Sequence, residues 1–162
     1  MPFHGPKSVS WWDTTAPVTS VANSTNTWVG NTLKFAVAGR VFGFRYYSVF
    51  GSGSRHWAVL NNQSTGKLLV VKDFKDFLPP GPAWVQTWIH PTLKVNTSDL
   101  FELAVSFPSH PYARTNAALA SFVTHNNIIF QNGFQSTVWD MLSVSLVTNT
   151  NANGVDVLFQ PN

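Results

Sequence analysis

From Asn31 to its end the chain breaks into short runs in which apolar and polar residues alternate with a period of two, bounded by Gly, Pro, Asn or Ser. Successive side chains of a strand point to opposite faces, so each run buries one face and turns the other away. In "TLKFAVA" Leu33, Phe35 and Val37 share a face before Gly39 breaks the run, and a hairpin into "RVFGFRYYS" is expected. In that second run Phe42, Phe44 and Tyr46 form the face suited to a core, opposed by Val41, Gly43, Arg45 and Tyr47. Gly43 weakens a strand interior unless a bulge or a neighbour uses its space, and an aromatic from a facing strand is the simplest occupant.

The pattern continues. "GSGS" at 51–54 reads as a turn, and "RHWAVLN" and "KLLVVKDF" read as strands joined by "NQSTG". "PPGP" is a rigid loop before "AWVQTWIH", where Trp84, Gln86 and Trp88 alternate with Val85, Thr87 and Ile89. In "LFELAVSF" the set Phe101, Leu103, Val105 and Phe107 opposes Leu100, Glu102, Ala104 and Ser106, and Glu102, the one charge, is expected to face outward. His90-Pro91 and His110-Pro111 read as strand-end turns. "TNAALASFVTH" alone has helix-forming content, and it is short and β-branched at its end. With "NIIFQ", "DMLSVSLVT" and "GVDVLFQ" the count reaches about nine or ten strands, the spacing of an all-β sandwich or jelly roll with antiparallel strands. Residues 1–30, rich in Pro, Ser, Thr and Asn and carrying Trp11, Trp12 and Trp28, read as an irregular N-terminal arm before a single β-sandwich domain over 31–162.

Charged residues are only 10% of the 162 and aromatics are 14%, including seven Trp and thirteen Phe. Against a usual charged fraction of about 25%, so neutral a chain presents surface suited to contact with something else. The ten bases are scattered, giving a net charge of +3 without a stripe dense enough for nucleic acid. With no cysteine, disulfides and thiolate metal sites are excluded and packing alone must hold the fold. "MPFHGPKSVSWWD" has prolines and a glycine where a secretory leader needs an apolar run, and no later run approaches a membrane span. Synthesis in a cytoplasm is expected, and the three Asn-X-Ser/Thr sequons are read as turn chemistry.

Catalytic constellations find little support. Of the seven acids, Asp73 and Asp76 are neighbours in "KDFKDF", which reads as a solvated turn rather than a carboxylate pair. The five histidines lack metal-ligand spacing, "NTNANGVD" lacks the acid density of a calcium loop, and no serine sits in a G-x-S-x-G elbow. Neither a metal nor another cofactor is expected. The aromatics remain: flat rings stack on sugars and anchor protein interfaces. Trp11, Trp12, Trp57, Trp84, Trp88, Tyr112 and Trp139 are the candidates for ligand or interface contact, although most Trp in a small sandwich serve the core. Trp11 and Trp12 are adjacent, and an extended segment is expected to turn only one of them inward.

The order of "GFRYY", "TGKLL", the Trp84 stretch, "HPTLKV", "LFELAVSF", "HPYA" and "NGVDVLF" resembles a bacterial β-sandwich family of uncharacterised function, spanning about residues 31–160. Members of that family accompany carbohydrate-active enzymes, and similar domains occur in minor tail proteins of actinobacterial phages. The chain departs from the family pattern at Tyr46-Tyr47, Leu60-Asn61 and Asn153-Gly154, which relocates some core aromatics. The resemblance implies the fold and supplies no catalytic residues. It implies a non-catalytic virion subunit, in the tail, tail tip or surface decoration, made in the host cytoplasm. Expected partners are other virion proteins, further copies of the chain and a host-surface glycan, without membrane insertion. The alternative is a stand-alone, secreted carbohydrate-binding module or lectin.

Overall fold

In the computed structural model, residues 9–12, 19–22, 27–49, 56–74, 81–107, 112–115, 124–136, 147–149 and 152–162 are described. They form twelve strands: β1 (Thr19–Ala22), β2 (Thr27–Phe35), β3 (Gly39–Ser48), β4 (Trp57–Asn62), β5 (Lys67–Asp73), β6 (Ala83–Val95), β7 (Phe101–Phe107), β8 (Tyr112–Thr115), β9 (Thr124–His125), β10 (Ile128–Ser136), β11 (Val147–Asn149) and β12 (Val155–Pro161). No helix is present among the described residues. A seven-stranded sheet runs β11-β10-β2-β7-β4-β5 with β9 beside β10, a three-stranded sheet runs β12-β3-β6, and β1 pairs with β8. All pairs are antiparallel, and the fold is an all-β sandwich.

The core lies between the large and small sheets, where the alternation read from the sequence puts it. Leu33 and Phe35 of β2, Leu60 of β4, and Phe101, Leu103 and Val105 of β7 meet Phe44 and Tyr46 of β3, Val85 and Ile89 of β6, and Val155, Val157 and Phe159 of β12. The Phe35 ring packs 4.6 Å from Phe159 and 5.4 Å from Phe101, joining the two layers by aromatic contacts. The β4–β5 hairpin forms as read, with Gly66 at φ 68°, a left-handed position that glycine takes without strain. Asn126 and Asn127, both at positive φ, close the β9–β10 hairpin as a pair suited to a type I′ turn.

Several expectations are corrected. β2 and β3 do not form a hairpin: β2 is flanked by β7 and β10, and β3 by β12 and β6, so the chain crosses between sheets at 36–38. Val37 lies in that crossing and is exposed. A bulge at Phe42 resets the alternation of β3. Gly43 pairs with Trp88 and Leu158 while Val41 pairs with Leu93 and Phe159, so Val41 turns into the core and Phe42 is half-buried. No aromatic fills the space at Gly43; a Cβ there would meet the Thr87 carbonyl oxygen at 2.2 Å, so close backbone approach is what demands glycine. His90-Pro91 is no strand end either, because β6 continues to Val95 and bows opposite the Phe42 bulge. The turn at 51–54, His110-Pro111 and most of "TNAALASFVTH" lie outside the described residues.

Candidate functional site

The outer face of the small sheet is set by β3, β6 and β12. Because Tyr46, Val85 and Val155 face the core in one register row, their neighbours Arg45, Gln86 and Asp156 face away from it. Arg45 and Asp156 are nonetheless buried, with an N–O separation of 3.2 Å. What covers them is the N-terminal segment. Val9 bridges Phe159 through two backbone hydrogen bonds, 2.6 and 2.8 Å, adding a short edge to β12. The amides of Trp11 and Trp12 then donate to the two Asp156 carboxylate oxygens at 3.1 and 2.8 Å, and the Arg45 guanidinium donates to the Ser10 hydroxyl. Full burial pushes the Asp156 carboxyl up, and Arg45 with the amides of Trp12, Trp11 and Val157 pulls it back.

Both tryptophans are buried, which corrects the expectation that only one could turn inward. The segment does not run as a flat strand at this point, and the two indoles meet edge to face at 4.9 Å and diverge. Trp11 stacks on Phe130 of β10 at 5.0 Å, beside a cavity of about 10 Å³, near the lower limit for one water. Trp12 donates from its indole nitrogen to the Asn153 carbonyl oxygen and packs near Trp84. Trp84 is half-buried: Arg45 lies 4.1 Å over its ring and Tyr47 meets it edge-on. Asn153 is fixed in turn by Asn31, whose side-chain nitrogen donates to the carbonyls of Asn153 and Val155.

The outer face of the large sheet has a different character. Across β10, β2, β7 and β4, the row Asn132, Thr32, Glu102 and Asn61 lies next to a second apolar cluster of Phe134, Ala104 and Val59, with Trp28 against it. Glu102 faces away from the main core as the alternation indicates, yet it is only 1% exposed, because that face of the large sheet is itself covered. Among the described residues, its Oε2 and both polar atoms of the Asn61 side chain are buried without a hydrogen-bond partner, and burial pushes the Glu102 carboxyl up to about 7. At the β4–β5 margin the same face opens. Trp57, Leu68 and Val71 are exposed there, Val71 at 48%, on the hairpin that includes the edge strand β5.

Of the remaining sequence candidates, Trp88 is 46% exposed on the outer face of β6, beside exposed Gln86. Tyr112 is placed on β8 by its backbone, its ring outside the described residues, and Trp139 also lies outside them. The structure thus joins Trp11, Trp12 and Trp84 in one cluster and leaves Trp57 and Trp88 apart on opposite sheets. Leu68 and Val71 were not among the candidates, because "KLLVVKDF" reads from the sequence only as a strand with no mark of which face is open.

Comparison with models of known protein families and with curated proteins finds no match to this chain. Among the described residues no group of three or more His, Asp or Glu is disposed to hold a metal. Glu102 lies on the outer face of the large sheet, and Asp156 lies on β12 of the small sheet beneath the N-terminal segment.

Proposed function

We propose that the protein is a non-catalytic structural subunit of a bacteriophage virion, in the minor tail, tail tip or surface decoration, and that it docks through the outer face of its large sheet. The observation that carries this reading is the exposed set Trp57, Leu68 and Val71 on the hairpin that includes edge strand β5. Isolated proteins usually guard such edges with charge or cover them, and the charges on β5 are Lys67, Lys72 and Asp73, the last paired with Trp57. The resemblance to phage minor tail domains supplies the setting. The test is co-sedimentation with purified particles, in which Trp57→Lys with Val71→Lys is expected to abolish incorporation at unchanged Tm. A protein that never accompanies particles refutes the proposal.

Trp88 beside Gln86 favours a second reading, a carbohydrate-binding module, since an open indole with an adjacent amide suits a sugar ring. Retention on host-wall polysaccharide that is lost in Trp88→Ala would support it.

A further inference from the structure

The segment Val9–Trp12 is held by contacts to distant parts of the chain. Its partners in the body of the sandwich include Asp156, Asn153 and Phe159 at and before β12, Arg45 on β3, Phe130 on β10 and Asn126 in the turn before it. The nearest of these in sequence, Arg45, is 35 positions from Ser10. The seat also reads particular features of the segment. A buried carboxylate takes two successive backbone amides, one wall takes the Trp11 ring, and a carbonyl takes the Trp12 indole N–H. Vacant, the seat would uncover the Asp156–Arg45 pair and the edge of β12 at Phe159, so occupation by some matching segment is strongly favoured.

We propose that this seat is a segment-exchange site that accepts Val9–Trp12 from a second copy of the chain in place of its own. Exchange replaces each contact by an identical one, so its cost is confined to chain connection and association. The proposal rests on the reading of the protein as an assembling subunit, and it names the contact that would link copies.

Two full-length variants test it. Trp11→Ala/Trp12→Ala keeps the seat and spoils the segment; Asp156→Asn keeps the segment and spoils the seat. In sedimentation each alone is expected to stay monomeric, and an equimolar mixture is expected to form a heterodimer. A mixture no more associated than its components overturns the proposal. As a second measurement, a labelled peptide with the sequence of residues 6–14 should bind the tryptophan-deficient chain about tenfold or more tighter than the wild type, whose own segment competes. Should that variant not fold, Trp12→Phe, which loses the indole N–H bond and part of the ring's packing, takes its place with a smaller gain in the same direction. Equal peptide binding by variant and wild type, or binding unaffected by Asp156→Asn, also overturns the proposal. Particle co-sedimentation separates the two readings: exchange without incorporation removes the virion assignment alone, and incorporation without exchange removes only this inference.

Discussion

Asp156 and Glu102 are both buried carboxylates on the outward face of a sheet, and they are treated in opposite ways. Asp156 accepts from three backbone amides and faces Arg45 at 3.2 Å, so its charge has partners on several sides. Glu102 lies between Thr32 and Asn61 with one oxygen unpartnered. Burial raises both, and only Asp156 has neighbours that oppose the rise. The difference is one of supply: backbone amides released by a non-repetitive segment can converge on a carboxylate, whereas sheet amides beside Glu102 are committed to their ladders.

The comparison is broken most severely by removing the satisfied acid. Asp156→Ala leaves Arg45 buried without its counter-charge and frees the amides of Trp11 and Trp12, and a loss of about 3–5 kcal/mol in urea unfolding is expected. A loss below about 1 kcal/mol would mean that the Asp156 carboxylate adds little to the hold on the N-terminal segment.

Glu102 gives a smaller effect with a pH signature. Its folded pKa, about 7, lies above the ordinary value of 4.5. The protonated form therefore favours the folded state. Its stabilising contribution is full below pH 4.5 and is lost as pH rises to about 7. Glu102→Gln should match the wild type near pH 4 and exceed it above pH 7 by at most about 3 kcal/mol. A difference between the two proteins that does not change with pH would show Glu102 to be solvated.

The smallest change sharpens the contrast further. Asn61→Leu removes two unpartnered polar atoms from the same row, and a shift in stability within about 1 kcal/mol, toward either sign, is expected. A loss above about 2 kcal/mol would mean that the Asn61 side chain is hydrogen-bonded after all.

These residues also mark how far the sequence could be read. The β4–β5 hairpin, the inward set of β6 and the core set of β7 follow from alternation, because a strand's period is fixed by its backbone. Phe42 was misassigned because a bulge inserts one residue and reverses the parity on one side of it, and "VFGF" carries no mark of which residue is extra. Leu68 and Val71 could not be told from core residues, since exposure of an edge strand depends on what stands beside it.

What the sequence by itself determined was local: an all-β chain, most of its strand faces, the β4–β5 turn and a cysteine-free core. Only the tertiary structure decided which faces are covered. Period two distinguishes one side of a strand from the other, but whether the second side meets water depends on segments distant in the chain. Asp156 is buried by residues more than a hundred positions away, and Glu102 lies out of solvent on a face whose pattern reads as open. For the same reason the seat for Val9–Trp12 exists only after folding, when β3, β10 and β12 bring Arg45, Phe130 and Asp156 around one tetrapeptide.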